Sequence, residues 1–293
     1  MPVTSVLLPS NMSLKEFSKS ANTPQFCVIA PTSYLEDYAI QSHTHLVLAH
    51  IVDTDPVYAK FYHEMSDRGD KIIMDNGAFE LGQSYHPEKL IELGQLCGAD
   101  AIVLPDYPGQ HSSVTLEAAK EWAPLIKEEG FKTMFVPQSE VGDIDDWISG
   151  YLYASNSILV DIIGMSILGI PNALPHIPKA YARVVMSELL IDRGILSDKY
   201  HHYLGLNAAP NVEIPALILM GALDSCDSSN PVWTALQGIG YNITQTDYMG
   251  IKKRYIRDVD FGEKMSNNTH IQSLIQQNLD ITFDIFKYPK KHL

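Results

Sequence analysis

Eight short β-rich runs alternate with helical patterns over most of the chain. The runs cover residues 25–31, 45–52, 71–75, 100–106, 132–138, 157–164, 201–207 and 221–227. The helical patterns between and after them cover residues 55–69, 86–98, 113–130, 177–194, 211–221 and 269–286. Apolar strands that alternate with helices predict a parallel sheet covered on both faces. Eight such units predict an α/β fold, a closed (β/α)8 barrel of the TIM type.

An open doubly wound sheet is the alternative fold, but no glycine-rich dinucleotide loop follows the first run. The length of 293 residues is normal for one barrel domain. No linker-like stretch divides the chain, so we expect a single domain over residues 1–293. Within it, residues 241–293 are expected to form a loop with basic residues and a closing helix.

The formal net charge of −14 argues against a protein that coats nucleic acid non-specifically. Residues 241–293 differ from the rest, because they contain eight Lys/Arg against six Asp/Glu. This part of the chain supplies four candidate phosphate contacts, Lys252, Lys253, Arg254 and Arg257. A solvated tail whose charges serve only solubility is the alternative interpretation.

The cysteines Cys27, Cys97 and Cys226 lie far apart in the sequence and suggest neither a disulfide framework nor a metal cluster. A reducing cytoplasm is the setting that they predict. The most apolar window, residues 157–171, contains Asp161 and is too short to span a membrane. We therefore expect a cytoplasmic protein with no membrane partner.

Polar residues occupy the carboxyl ends of several predicted strands, where TIM barrels place their reactive groups. The third strand ends at Asp75, the fourth at Asp106 and the eighth at Asp227, while the fifth ends at Gln138. Each of these residues, taken alone, has a structural alternative as a helix cap or turn residue. Several carboxylates in one dry mouth are costly, so their joint placement predicts a binding or catalytic site.

Two carboxylates on opposite sides of a site suit glycosidic chemistry, in which one attacks the anomeric carbon and the other transfers a proton. A third carboxylate and an amide suit a nucleobase edge, since an ionised Asp accepts hydrogen bonds from guanine-type N–H groups. Phe79 offers an apolar surface for a flat ring, with core packing as the alternative. Asp224 lies inside the predicted eighth strand, which makes it the more structural member of the pair Asp224 and Asp227.

Several short segments resemble motifs of the tRNA-guanine transglycosylase family, in the family's order, over residues 70–233. "MDNGAF" (74–79) resembles D-S-G-G-F, and "DSCD" (224–227) keeps the spacing of the nucleophile motif D-M-F-D. "VPQ" (136–138), "GMSILG" (164–169) and "YLGLN" (203–207) resemble loops of the family's base pocket. The resemblance implies a modified (β/α)8 barrel that exchanges a guanine for a 7-deazaguanine without breaking the sugar–phosphate chain.

The resemblance also implies roles for individual residues. Asp227 resembles the nucleophile and Asp75 the general acid/base. The remaining candidates resemble, or lie beside, residues that bind the base, and they are Phe79, Asp106, Gln138, Gly164, Met165, Leu204, Gly205 and Asp224. The implied chemistry requires no metal or redox cofactor.

Two departures from the tRNA enzymes point to a particular branch of the family. The family's zinc-binding C-x-C-x-x-C motif is missing, because no cysteine follows Cys226, so we expect no zinc subdomain. The basic run after the nucleophile is replaced by "SSNPVW" (228–233), which is similar to the DNA-acting DpdA-type enzymes. The compact chain is similar to the phage-type members, and a phage-encoded protein would work in the host cytoplasm.

The sequence therefore predicts a DNA guanine transglycosylase whose partners are DNA and a free 7-deazaguanine, preQ0 or a relative. It would flip the target deoxyguanosine out of the stack and form a covalent glycosyl-enzyme on Asp227. The alternatives are a zinc-free tRNA-guanine transglycosylase and a non-catalytic nucleobase-binding relative. A carbohydrate hydrolase is disfavoured, because few aromatic residues are available at the mouth to stack on sugars.

Overall fold

The computed structural model describes residues 15–18, 23–206, 210–241 and 259–293. Eight parallel strands form one sheet in the order β1-β8-β7-β6-β5-β4-β3-β2. Their bounds are β1 Gln25–Val28, β2 Thr44–Val47, β3 Lys71–Met74, β4 Ala101–Val103, β5 Lys132–Phe135, β6 Ile162–Gly164, β7 Tyr200–Tyr203 and β8 Ser225–Ser228. The predicted (β/α)8 barrel is confirmed, and every predicted run overlaps one of its strands.

The barrel is nearly closed at the seam between β1 and β2. Seven of the eight neighbouring strand pairs form hydrogen-bonded ladders, including β1 with β8. At the remaining seam a side chain replaces the ladder. The Ser42 hydroxyl donates to the carbonyl of Phe26 at 2.8 Å and accepts from the amide of Val28 at 3.1 Å. One serine thus satisfies two backbone groups that a direct β1–β2 ladder would pair.

Helices follow the strands and cover the outside of the sheet. Their bounds are α1 Ala49–Thr54, α2 Pro56–Arg68, α3 Ala78–Leu81, α4 Pro87–Cys97, α5 Ser112–Glu128, α6 Ile144–Asn156, α7 Gly169–Ala173, α8 Lys179–Asp192, α9 Pro210–Leu219, α10 Asn230–Leu236 and α11 Thr269–Lys287. Helix α2 begins as its sequence predicts. Asp55 accepts from the amide of Val57 at 2.9 Å, Pro56 occupies the first helical turn, and Gly69 ends the helix with φ 103°.

Several boundaries differ from the sequence prediction. The second run was predicted as strand to residue 52, but β2 ends at Val47 and α1 begins at Ala49. A short apolar run does not distinguish a strand from a helix by its pattern alone. The eighth run was predicted to begin at residue 221, but β8 begins at Ser225, after Asp224. The prediction also left out α6, although Asp143 caps it by accepting from the amide of Asp146 at 2.9 Å.

The amino-terminal end of the barrel is covered by residues 15–18. The Phe17 ring meets the Tyr200 ring edge-on with centroids 5.3 Å apart, and the ammonium of Lys71 lies 5.2 Å from the Phe17 centroid. Lys15 Nζ donates to the carbonyl of Ser66 at 3.1 Å. This cover leaves the carboxyl ends of the strands as the side from which a ligand reaches the polar residues.

The described residues also bear on the sequence predictions about a membrane span and about the cysteines. None of the helices described in the structure is long and apolar enough to cross a bilayer. Cys27, Cys97 and Cys226 are buried free thiols, and the described part of the chain contains no group of three or more His, Cys, Asp or Glu arranged to hold a metal ion.

Candidate active site at the carboxyl ends of the strands

Asp75 directly follows β3 and is held there by backbone contacts. Its amide donates to the carbonyl of Val47 at 2.8 Å, which extends the ladder with β2 by one residue. Its carboxylate accepts from the amide of Gly77 at 3.0 Å. Gly77 has φ 78°, and a Cβ there would lie 3.2 Å from the Tyr85 ring, so a glycine suits this turn for two reasons. The chain therefore turns sharply after β3 and keeps the Asp75 carboxylate at the mouth.

The surroundings of Asp75 favour its protonated form. Burial, together with the negative charges of Glu80, Asp106 and Asp227, raises the pKa of Asp75 to about 7. Partial burial and the charge of Asp227 also raise the pKa of Glu80. A carboxyl group with a pKa near 7 can give up and take back a proton at neutral pH. Glu80 belongs to this cluster, although the sequence interpretation assigned it no role.

Asp106 lies at the centre of a buried hydrogen-bond cluster. Its Oδ1 accepts from Asn76 Nδ2 at 2.8 Å, and its Oδ2 accepts from Gln138 Nε2 at 2.6 Å. Asn76 is itself fixed, because Nδ2 also donates to the carbonyl of Leu104 at 2.9 Å and Oδ1 accepts from the amide of Ala78 at 2.9 Å. Burial raises the pKa of Asp106, while these two amide donors oppose the rise. Asn76 is a site residue that the sequence interpretation treated only as part of a turn.

Gln138 is oriented by the same cluster. Because its Nε2 donates to Asp106, its Oε1 must point the other way, towards Gly169. A Cβ at residue 169 would lie 2.6 Å from Oε1, so only glycine fits there without displacing the amide. Within the described residues the buried Oε1 has no hydrogen-bond partner. A buried acceptor without a donor is costly, so this atom favours a ligand that presents N–H groups.

Asp227 is the third residue of β8 and is only 5% exposed. Its Oδ1 accepts from the amide of Gly205 at 2.8 Å and lies 3.1 Å from His202 Nε2. His202 Nδ1 in turn lies 2.7 Å from Ser225 Oγ. Gly205 adopts φ 69°, which directs its amide at the carboxylate and favours glycine at that position. Sequence interpretation missed His202, because a histidine inside a strand gives no sign of which side chain it contacts.

Buried Arg183 joins the loops that follow β6 and β7. Its guanidinium donates to the carbonyls of Met165, Leu204 and Gly205 at 3.1, 3.0 and 2.8 Å. It also forms a bidentate ion pair with Glu213, with distances of 2.5 and 2.8 Å. Both side chains are completely buried. The pair thus fixes the backbone of three predicted pocket residues from behind.

Replacing Arg183 with methionine is expected to lower the free energy of unfolding by about 3–5 kcal/mol, because it removes one partner of a completely buried ion pair and leaves the charge of Glu213 without its guanidinium. Urea unfolding followed by circular dichroism measures the loss. The control is Lys60→Met, which breaks an exposed pair with Glu64 of 3.1 Å and should cost less than about 1 kcal/mol. Equal losses in the two variants would contradict the role assigned to Arg183.

The other predicted site residues lie at the rim of the barrel, in its interior after β6, or outside the described part of the chain. Phe79 is 71% exposed on α3, so it is free to contact a ligand at the rim and is not core packing. Gly164 ends β6 in a tight site, where a Cβ would lie 2.8 Å from Val136 Cγ2. Met165 follows it and is buried. The basic candidates Lys252, Lys253, Arg254 and Arg257 lie outside the described residues.

The placement of Asp224 among the base-binding residues was wrong. Asp224 precedes β8, and its carboxylate accepts from the amide of His201 at 2.8 Å, near the start of β7. Asp224 lies three positions before Asp227, roughly 10 Å away along the strand. Asp224 therefore lies towards the amino-terminal end of the barrel and stabilises the β7–β8 pairing there.

No model of a known protein family and no curated protein matches this chain. The fold and the site together define the protein as a (β/α)8 barrel with four carboxylates at its mouth. These are Asp75, Glu80, Asp106 and Asp227. Their surroundings differ. The pKa values of Asp75, Glu80 and Asp106 are raised. Asp106 also accepts hydrogen bonds from two side-chain amides, and Asp227 is hydrogen-bonded by a backbone amide and a histidine.

Proposed function

We propose that this protein is a DNA guanine transglycosylase, which exchanges guanine in DNA for a free 7-deazaguanine of the preQ0 type. The observation that carries the proposal is that Asp75 directly follows β3 and Asp227 lies near the end of β8, so that both carboxyl groups are at the same mouth of the barrel. Asp75 has a pKa raised to about 7, and the charge of Asp227 contributes to that rise. Two carboxyl groups with different surroundings in one site suit a nucleophile and an acid/base.

Asp227 is the proposed nucleophile. Its carboxylate attacks C1′ of the target nucleotide, the C1′–N9 bond breaks, and the electron pair goes to N9 of guanine. Asp75 gives its proton to the departing base. The incoming base then returns a proton to Asp75, its N9 attacks C1′, and the bond to Asp227 breaks. Two displacements give overall retention at C1′.

We propose that the cluster of Asp106, Asn76 and Gln138 recognises the base through hydrogen bonds. A guanine and a 7-deazaguanine share the N–H groups of the Watson–Crick edge, and these are donors. Asp106 and the unpaired Gln138 Oε1 are acceptors in the same buried cluster. Exposed Phe79 would stack on the ring of the flipped base.

The assignment to DNA rests on the segment after Asp227. Residues 228–233, "SSNPVW", contain no basic residue and lead into α10. The side chain of Asn230 donates to the carbonyl of Leu206 at 3.3 Å, which attaches the start of this helix to the loop after β7. The resemblance of this segment to the DNA-acting enzymes is the reason for proposing DNA rather than tRNA as the substrate.

Isotope exchange tests the proposal directly. The protein is incubated with labelled guanine or labelled preQ0 and with single-stranded DNA, duplex DNA or total tRNA in separate reactions. We expect label in DNA that resists denaturation and washing. Label in tRNA alone would contradict the DNA assignment, and tight binding of the base with no incorporation into either polymer would favour a non-catalytic relative.

A further inference from the structure

We propose that His202 is a positioning residue that holds Oδ1 of Asp227, so that the opposite oxygen, Oδ2, attacks C1′ and Asp227 becomes a better leaving group in the second displacement. This inference rests on the proposed transglycosylase function and assigns a role to a residue that the motif resemblance does not cover. The inference concerns the rate at which the covalent glycosyl-enzyme forms relative to the rate at which it breaks down.

The geometry follows from the register of β7 and β8. His202 pairs with Ser225 across the two strands, and Asp227 lies two residues further along β8, on the same face as Ser225. This places the imidazole between the serine and the carboxylate, 2.7 Å from Ser225 Oγ and 3.1 Å from Asp227 Oδ1. His202 is completely buried, so water does not compete for these contacts.

The partners of the ring determine where its proton lies. An ionised Asp227 only accepts, so the ring nitrogen that faces it, Nε2, must donate. Ser225 Oγ can donate to Nδ1 or accept from it, and it therefore suits a ring with a proton on Nε2 in either charge state. His202 and the Gly205 amide thus supply two donors to the same oxygen, Oδ1.

This arrangement makes the two oxygens of Asp227 unequal. Among the described residues, none donates a hydrogen bond to Oδ2, whereas Oδ1 has two donors. Oδ2 therefore keeps its lone pairs for C1′. When the ester forms, the charge on the carboxylate disappears and the hydrogen bonds to Oδ1 weaken. When the C1′–Oδ2 bond breaks, the charge returns and the two donors stabilise it.

Removing the His202 donor should affect the two steps in opposite directions. The carboxylate would be more basic, which makes it a better nucleophile and a poorer leaving group. Formation of the glycosyl-enzyme should be unchanged or faster, and its breakdown slower by about tenfold or more, the effect of one hydrogen bond to a charged group. The covalent intermediate should therefore accumulate in the variant.

The experiment measures both steps on one preparation. Labelled single-stranded DNA is mixed with wild-type protein or His202→Phe, and the covalent adduct is followed over time on a denaturing gel. Excess preQ0 is then added and the decay of the adduct is followed. For His202→Phe we expect a ratio of formation to breakdown rates at least about tenfold above wild type. Formation and breakdown that fall by the same factor would overturn the proposal, since general damage to the site predicts that result.

Two further variants control for folding and for the donor. His202→Gln retains an N–H donor and should return the ratio towards the wild-type value. Ser225→Ala keeps the imidazole but removes its Nδ1 partner, and should raise the ratio by less than His202→Phe does. If His202→Phe does not fold, a ratio in Ser225→Ala that equals the wild-type value overturns the proposal. A wild-type protein that forms no adduct with any nucleic acid would instead contradict the proposed function itself.

Discussion

Replacing Asp227 with alanine is expected to abolish the covalent DNA adduct and to reduce base exchange by roughly 10⁴-fold or more, because in the proposed mechanism no other group forms the bond to C1′. The side chain lies at the mouth, in contact with Gly205 and His202, and is only 5% exposed. A smaller residue leaves both donors facing an empty space. A denaturing gel of labelled DNA after incubation with the variant measures the adduct.

The matched control is Asp224→Ala, which removes the other carboxylate of the same short motif. The Asp224 carboxylate accepts a hydrogen bond from the amide of His201 towards the amino-terminal end of the barrel. Its loss should therefore reduce stability and leave the adduct in place. An adduct that persists in Asp227→Ala and disappears in Asp224→Ala would assign the nucleophile to Asp224. That outcome would contradict the position of the site at the carboxyl ends of the strands.

Replacing Asp75 with asparagine has the second largest expected effect. The variant keeps the size of the side chain and its hydrogen bond from Gly77, but it cannot transfer a proton. We expect exchange to fall by about 10²- to 10⁴-fold, the usual contribution of a general acid/base. Single-turnover rates of guanine release measure the loss. A variant that releases guanine at the wild-type rate would contradict the assigned role.

The pH dependence of each step gives an independent measure of Asp75. Adduct formation needs its protonated form, and the pKa is raised to about 7, so the formation rate should fall as the pH rises through 7. Breakdown by the incoming base needs the ionised form and should rise over the same range. Glu80→Gln removes a negative charge that contributes to the raised pKa and should move both midpoints to lower pH.

The same raised pKa predicts how stability varies with pH. In the unfolded chain Asp75 should lose its proton near its ordinary pKa of about 4, while the folded protein keeps that proton up to about pH 7. The contribution of this group to stability is therefore complete below pH 4 and is lost as the pH rises through 7. Asp75→Asn should show a flatter stability profile between these values when urea midpoints are compared.

The sequence predicted the parts of the structure that repeat. Each of the eight strands overlaps one predicted run, because buried parallel strands are short, apolar and bounded by turn residues. The ends of the third, fourth and eighth strands then located Asp75, Asp106 and Asp227 at one mouth without any knowledge of their contacts. The error in β8 had a clear source. "ALDSCDSS" continues apolar and small residues through Asp224, and only the hydrogen bond to His201 shows where the strand begins.

Contacts between distant segments could not be predicted in this way. His202 contacts Asp227 across 25 residues of sequence, and Asn76 contacts Asp106 across 30. Arg183 reaches Glu213 and three loop carbonyls from a helix on the outside of the barrel. Each of these contacts depends on strand register and helix packing, which a single sequence does not specify. Glu80 was missed for a related reason, since its effect on Asp75 depends on the turn that Gly77 makes.

Nucleoside analysis of DNA tests the central claim most directly. DNA is incubated with the wild-type protein, with Asp227→Ala or with no protein, in the presence of preQ0, then digested to nucleosides and examined by mass spectrometry. A 7-deazaguanine deoxynucleoside should appear with the wild-type protein only, matched by a loss of deoxyguanosine. Digests of the three samples that are identical, under conditions in which tRNA gains the modified base, would contradict a DNA guanine transglycosylase.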